Sequence, residues 1–225
     1  MRRNRAMLAA VDRRALPSLL WISDGRGDVD RLTAIVAAAV GAGLRAVQLR
    51  EPVWSARQLA EACGRVQPLL AAVGGLLFVN DRVDVAAMGC CDGVQVGHRS
   101  VPVAAARRAL GPQPWLGASC HGAEELAAAA AGGADFALLS PIWPTASKPG
   151  HPGLGLAAAG ALTAAAALPI VWLGGVTASR IATVRALPQA QRPVGFAVLG
   201  AIGSAADPAA ATAALVQAVD AALAT

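Results

Sequence analysis

Lysine is almost absent from this 225-residue chain: of its 19 basic residues only Lys148 is a lysine, and the others are arginine. Arginine has been used wherever either cation would serve, so the one remaining lysine is a candidate for a task arginine does poorly. A compact ammonium on a flexible stem approaches a phosphate or a leaving group as a point charge, which a planar guanidinium does less well. The competing reading is a chance lysine on a surface loop. Charge of either sign is also scarce, at 15% of residues against 56% hydrophobic. That balance supports a large buried core, although alanine inflates the second figure.

A basic face is missing too. The formal charge is +5, but residues 1–17 carry Arg2, Arg3, Arg5, Arg13 and Arg14 against Asp12, which leaves about +1 for the rest of the chain. Nothing there would follow a nucleic-acid backbone. A ragged basic tail over 1–17 is expected ahead of one domain over 18–225. A secretory signal is not expected, since the apolar stretch from Ala6 to Val11 is short and Asp12 follows at once. No charged residue occurs from Gly153 to Ser179, a length that suggests a membrane span. Pro169 divides that stretch and Gly174-Gly175 ends it, so a helix followed by a buried strand is expected. The expected protein is soluble and cytoplasmic, with no nucleic-acid or membrane partner. The four cysteines, Cys63, Cys90, Cys91 and Cys120, lack a repeated Cys-x-x-Cys spacing. They read as reduced buried thiols rather than a zinc site.

Short β-rich runs recur with helical stretches between them. The runs are 19–23, 46–51, 76–81, 93–97, 115–120, 136–141, 170–175 and 195–202, and the helices 28–42, 55–73, 83–88, 103–110, 123–131, 156–166, 178–187 and 208–223. Eight strand–helix units without a linker predict a parallel sheet closed as a single (β/α)₈ TIM barrel. The alternative, an open doubly wound sheet, normally shows a glycine-rich turn after its first strand. Asp24-Gly-Arg-Gly-Asp28 is too acidic to make a good dinucleotide loop.

A barrel collects its chemistry at the carboxyl ends of its strands, and the polar residues of this chain fall there. Strand two ends in Gln48-Leu-Arg50-Glu51, strand three in Asn80-Asp81, strand five in Ser119-Cys-His121, and strand six runs into the lysine loop. Gln48 and Arg50 are two apart and share a face, which points them into the barrel mouth. The last two strands end in Gly174-Gly175-Val176 and Leu199-Gly200-Ala201, where backbone N–H groups can approach an anion. An arginine, a lysine and a backbone nest together suggest two phosphorylated groups.

Each residue has a plainer reading. Arg50 could pair with Glu51 or Asp81 as a structural salt bridge. Asn80-Asp81 could cap the next helix rather than supply an oxygen ligand for Mg²⁺. His121 is either a helix-start histidine or an acid/base group. His98 and His151 read as loop histidines, and Trp143 either covers a ring in the pocket or packs. Trp21, Trp115 and Trp172 read as core.

The pattern resembles one known family, the thiamine phosphate synthases and their sister thiazole tautomerases. It is carried by Gln48-Leu-Arg-Glu51, Asn80-Asp-Arg-Val-Asp84, Gly93-Val-Gln-Val-Gly97, Gly117-Ala-Ser-Cys-His121, Pro141-Ile-Trp-Pro-Thr-Ala-Ser-Lys-Pro149 and Gly174-Gly-Val176. No one of these motifs is decisive; their order and strand-end placement carry the resemblance. It implies a synthase that joins a pyrimidine methyl diphosphate to a thiazole phosphate and releases diphosphate. Gln48, Arg50, Asn80, Ser119 and Lys148 would then hold the diphosphate, and Asp81 would bind Mg²⁺. Thr145, Ser147, Gly175 and the Leu199-Gly200 turn would hold the thiazole phosphate. Arg50, Lys148 and His121 are the candidate catalytic residues.

The chain departs from the family pattern at three places: Pro52 stands for a lysine, Ser100 for a second metal-binding aspartate, and Gly200 for a serine. Arg99 could supply some of the lost positive charge. Two other activities therefore stay open beside the synthase. One is a metal-independent tautomerase, for which His121 occupies the relevant position; the other is a non-catalytic barrel that binds a thiazole or thiamine phosphate. The partners implied are small phosphorylated molecules, and a homodimer is one assembly to expect.

Overall fold

A computed structural model describes residues 15–224, so most of the expected basic tail lies outside the described residues. The elements are β1 (Leu19–Ile22), α1 (Val29–Gly41), β2 (Ala46–Leu49), α2 (Ala56–Ala71), β3 (Leu76–Asn80), α3 (Val83–Ala87), β4 (Gly93–Val96), α4 (Val103–Leu110), β5 (Trp115–Cys120), α5 (Ala123–Ala131), β6 (Phe136–Leu139), α6 (Gly155–Ala165), β7 (Ile170–Leu173), α7 (Ala178–Thr183), β8 (Gly195–Val198), α8 (Gly200–Gly203) and α9 (Pro208–Leu223). The strands pair in parallel in sequence order, and β8 returns to pair with β1. The sheet is thus the closed (β/α)₈ barrel that the eight-unit pattern predicts.

Alternation within each strand divides the core in two. Leu20, Ile22, Leu76, Phe78, Phe136, Leu138 and Val171 fill the barrel interior. Their neighbours Trp21, Leu77, Val79, Leu139 and Trp172 face out, under the helices. A period of two on a sheet buried on both faces yields this division. Phe78 and Phe136 meet edge-on at 5.6 Å, and there is no room for a larger residue opposite them: a Cβ on Gly117 would lie 2.5 Å from Phe136 Cζ. Helix starts are fixed locally. Asp28 caps α1 by accepting from Arg31 N, and Ser55 with Gln58 forms a capping box on α2.

The structure departs from the expected boundaries at the two places where an apolar run has no clear period. The eighth run was expected to extend to Ile202, but β8 stops at Val198 and residues Gly200–Gly203 form the short α8. Such a run does not distinguish a strand from a buried helical turn. Helix α7 ends at Thr183 and gives way to a 3₁₀ turn over Val184–Ala186. Pro188 holds Leu187 extended, at φ −81 and ψ 149, and so stops any continuation. Trp21 and Trp172 are core, as expected, whereas Trp115 is only half-buried.

The long uncharged stretch forms α6 and β7, and among the described residues no helix is long and apolar enough to cross a membrane. All four cysteines are free. Burial pushes the Cys120 thiol up to about 12, and a hydrogen bond with Cys91 together with burial pushes Cys63 higher still. Both stay protonated at neutral pH, which suits packing rather than nucleophilic chemistry.

Candidate active site

At the end of β2 the buried carboxylate of Glu51 organises the mouth. Its Oε1 accepts from Ser23 Oγ at 2.7 Å and Gly25 N at 3.3 Å, and its Oε2 accepts from Gly27 N at 2.8 Å. Ser23 Oγ in turn accepts from Arg50 N at 2.8 Å. Glu51 therefore fixes the β1–α1 turn and, through Ser23, the backbone of Arg50. The structural salt bridge is not formed: among the described residues Arg50 has no ion pair, and neither has Lys148. Both cations are left to the mouth. Replacing Glu51 with Gln puts an amide donor against a main-chain N–H. It is expected to destabilise the protein by about 1–3 kcal/mol in denaturant titration, and to lower turnover because Arg50 loses its support.

A polar network runs across β2 to β5. Gln48 Nε2 donates to Asn80 Oδ1 at 2.8 Å, and Asn80 Nδ2 donates to Asp81 Oδ2 at 2.7 Å. Ser100 Oγ donates to Asp81 Oδ1 and accepts from Gly97 N at 2.8 Å. Further round, Gln95 Nε2 donates to Ser119 Oγ at 3.0 Å. Asp81 sits in the left-handed region at φ 62 and does not cap α3, whose N-cap is Arg82 without a side-chain bond. The capping reading of Asn80-Asp81 is thereby set aside. Gln48 is almost wholly buried, one layer below Arg50. The buried Oε1 atoms of Gln48 and Gln95 have no hydrogen-bond partner in the chain.

His121 stands at the rim. Its Nδ1 lies 2.9 Å from Glu125 Oε2, which also accepts from the His121 main-chain N–H at 2.6 Å. Partial burial raises the Glu125 pKa, but the contacts with His121 outweigh it and hold the carboxyl below its usual range. An ionised carboxylate only accepts, so Nδ1 carries the proton and Nε2 is the other nitrogen available for chemistry.

Two depressions open from the mouth. The first, about 430 Å³, is polar and cationic, with Arg50, Asn80, Asp81, Arg99, Ser119, His121 and Lys148 in its wall. The second, about 570 Å³, combines apolar Ile22, Leu173 and Val176 with Thr145, Ser147, Gly174, Gly175, Leu199 and Gly200. Arg50, Ser140 and Lys148 line both. The lysine reaches this boundary because its loop is folded tightly: Lys148 N donates to Thr145 O at 3.1 Å, and Leu154 N to Pro141 O at 2.9 Å closes the loop at its base. His151 is a loop histidine whose Nδ1 accepts from Gly153 N at 3.0 Å. Trp143 lines neither depression and packs edge-on against Trp172 at 6.1 Å, which favours its packing role.

The turn after β8 is held from outside. Trp21 Nε1 donates to Leu199 O at 3.2 Å, and Arg31 Nη2 donates to Gly203 O while pairing with Asp24 at 3.0 Å. Every residue expected at the site except Gln48 thus lines one of two adjoining depressions. Gln95, although it alternates with Val94 and Val96 on an inward face, is not among the residues expected at the site, and neither are the supports Trp21, expected only as core, and Arg31. Those two carry no local signal, because their partners lie 178 and 172 residues away. Among the described residues no group of three or more His, Cys, Asp or Glu side chains is placed to hold a metal. Two carboxylates line the cationic depression: Glu51, whose oxygens are taken by Ser23, Gly25 and Gly27, and Asp81, with the Ser100 hydroxyl on it.

Residues 19–202 match the family model of thiamine monophosphate synthase. A thiamine-phosphate synthase of Laribacter hongkongensis is 41% identical over 187 residues, covering 83% of this chain and 86% of its own. One from Salinispora arenicola is 38% identical over 208 residues, covering 91% and 98%. Among solved structures, a thiamine phosphate pyrophosphorylase from Pyrococcus furiosus superposes with a TM-score of 0.79 at 28% identity, over 92% of this chain and 96% of its own.

Proposed function

Because this chain belongs to the thiamine monophosphate synthase family, we propose that its mouth joins 4-amino-2-methyl-5-(diphosphooxymethyl)pyrimidine to 4-methyl-5-(2-phosphoethyl)thiazole. The products are thiamine phosphate and diphosphate. The observation that carries this reading is the shared wall: Arg50 and Lys148, neither paired with a carboxylate among the described residues, border both the cationic and the apolar depression. A diphosphate suits the first and a phosphorylated apolar ring the second.

In this mechanism the bond between the pyrimidine methylene carbon and the diphosphate oxygen breaks, and its electron pair leaves with the diphosphate. Lys148, Arg50, Asn80 and Ser119 donate to the departing oxygens and stabilise the charge that gathers there. The methylene carbon becomes a cation delocalised into the aminopyrimidine ring. The thiazole nitrogen then donates its lone pair to that carbon, and a C–N bond forms. Ile22, Leu173 and Val176 pack the thiazole, while Thr145, Ser147, Gly175 and the Leu199-Gly200 turn hold its phosphate. Gln48 and Gln95, whose Oε1 atoms are buried without a partner in the chain, offer acceptors below the mouth to an amino-bearing ring.

Magnesium fits this site only as an ion shared with the substrate. Mg²⁺ commonly takes one or two carboxylates plus phosphate oxygens and keeps several waters. Asp81 supplies the one carboxylate and Ser100 stands where the second acid is expected. Bound there, the ion would neutralise charge on the diphosphate. Changing Ser100 to Asp is expected to strengthen magnesium binding in the presence of diphosphate by about tenfold, read by calorimetry. Unchanged affinity would place the ion elsewhere.

The same reading makes residues 18–225 a single catalytic domain preceded by the basic tail, in a soluble cytoplasmic enzyme acting on free phosphorylated substrates. Free cysteines suit a reducing compartment. A homodimer is the expected assembly, and sedimentation velocity tests it. One observation favours a second activity: the Glu125–His121 pair is a ready acid/base group, which a thiazole tautomerase requires. The deciding experiment supplies both phosphorylated substrates with Mg²⁺ and follows thiamine phosphate. Its appearance with an equal amount of diphosphate supports the synthase. Metal-free isomerisation of a thiazole carboxylate phosphate without condensation would replace that reading with the tautomerase, and tight binding with neither reaction would leave a non-catalytic barrel.

A further inference from the structure

The lysine loop and the Gly174-Gly175 turn lie side by side as they leave β6 and β7. Ile142 N donates to Leu173 O at 2.9 Å and Trp143 N to Gly174 O at 3.1 Å, so main-chain pairing continues beyond the end of β6 as far as Trp143 and Gly174. There it stops, and one side chain takes over. Arg180 Nη1 donates to Gly175 O at 2.5 Å and to Pro144 O at 3.4 Å. The guanidinium carbon lies 5.8 Å from the centroid of the Trp143 ring, on the same loop as Pro144. Arg180 is itself anchored, because Thr177 caps α7 by accepting from Arg180 N at 3.3 Å.

Arg180 lines neither depression, so it acts from behind their common wall. This has a stereochemical consequence. Gly175 adopts φ 65 and its carbonyl is drawn back to the guanidinium. In a trans peptide the next N–H points the opposite way, so the Val176 N–H is turned away from the guanidinium, and Val176 is a lining residue of the second depression. The second hydrogen bond, to Pro144 O, holds the residue just ahead of Thr145-Ala-Ser-Lys148. One guanidinium therefore fixes both the Gly175–Val176 peptide and the base of the loop that carries the sole lysine.

We propose that Arg180 is a positioning residue that couples the two subsites: it ties the Gly175 turn to the lysine loop, so that an anion held at the turn also fixes Lys148. The inference rests on the second depression being the phosphate subsite of the proposed synthase. Arginine suits the task because the two N–H bonds of Nη1 are held in fixed directions by the planar guanidinium and reach both carbonyls, whereas an ammonium on a flexible stem has no such fixed geometry.

The single lysine makes the test specific. Acetylation of Lys148 by acetic anhydride is followed by peptide mass spectrometry with and without inorganic phosphate. In the unchanged protein phosphate is expected to slow labelling several-fold, and in Arg180→Ala that protection is expected to disappear. The KM for the thiazole phosphate is expected to rise about tenfold in Arg180→Ala, the loss of a charge-assisted hydrogen bond, with a smaller change in kcat. Arg180→Lys is expected to recover part of both effects, and it carries the test if the alanine variant does not fold. Equal phosphate protection in all three proteins, or none in the unchanged one, overturns the coupling. The labelling readout needs no turnover: Arg180-dependent protection without thiamine phosphate formation would keep the coupling and remove the synthase reading instead.

Discussion

Lys148→Ala is expected to lower kcat by a factor of about 10²–10³, the scale for removing a donor aimed at developing negative charge. Lys148 is on a tight turn, borders both depressions and has no carboxylate partner among the described residues. Its charge is thus available to substrate rather than committed to the fold. Stability should therefore change by no more than about 0.5 kcal/mol, as for other substitutions away from packed or bonded features. Lys148→Arg keeps the charge but changes its shape, and should restore only a minor part of the rate. Steady-state kinetics beside a denaturant titration separate the two effects. A rate within threefold of the parent would make Lys148 the surface residue of the plainer reading.

Gly175→Ala is expected to damage both stability and the second subsite. The residue sits at φ +65, and a Cβ there would lie 2.5 Å from Pro144 O, 2.6 Å from Arg180 Nη1 and 2.9 Å from Trp143 Cβ. Backbone strain of this kind costs on the order of 1–3 kcal/mol, and two of the three obstacles are part of the strap between the turn and the lysine loop. The KM for the thiazole phosphate should rise by one to two orders of magnitude, while binding of diphosphate changes less. Gly200→Ala is the contrast. A Cβ at Gly200 meets only Ser204 Oγ, at 3.8 Å, and its φ is not in the positive region. Stability should then be nearly unchanged, so a similar loss in both variants would mean that the turn tolerates no side chain at all, strained or not.

The barrel was legible because the same signals recur along the chain: short apolar runs, several with polar ends, alternating with helical stretches many of which are alanine-rich. Seven of the eight helices are found within two residues at both ends, among them Val103–Leu110 and Ala123–Ala131, which agree at every residue. The failures have local causes. The run after Gly195 is apolar throughout, so nothing in it announced that Leu199 would turn the chain into α8. Helix α7 passes into a 3₁₀ turn after Thr183, and Pro188, five residues on, keeps Leu187 out of helical geometry.

The site was legible at the strand ends, where Arg50, Asn80, Asp81, Ser119 and Lys148 come together as strand-end polar residues of a barrel must. Its supports were not. Glu51 holds the backbone of Arg50 through Ser23, and Trp21 and Arg31 hold the ends of α8. Each of these supports joins residues far apart in sequence and ends on a main-chain atom, the Arg50 N–H or the Leu199 and Gly203 carbonyls, which has no side-chain signature to read. Gln48 illustrates the remaining limit. Its spacing from Arg50 gives the correct face, but depth along the barrel axis depends on register, and there it falls one layer below the mouth, bonded to Asn80.

The account depends above all on two separate anion subsites meeting at Lys148. The most direct measurement is a calorimetric titration of thiazole phosphate into protein already saturated with diphosphate and Mg²⁺, repeated in the reverse order. Two adjoining subsites predict one equivalent of each ligand bound together, with diphosphate weakened at least tenfold in Lys148→Ala, the loss of one charge-assisted contact. Mutual exclusion of the two ligands would contradict it, leaving one anion site and no place for the second substrate.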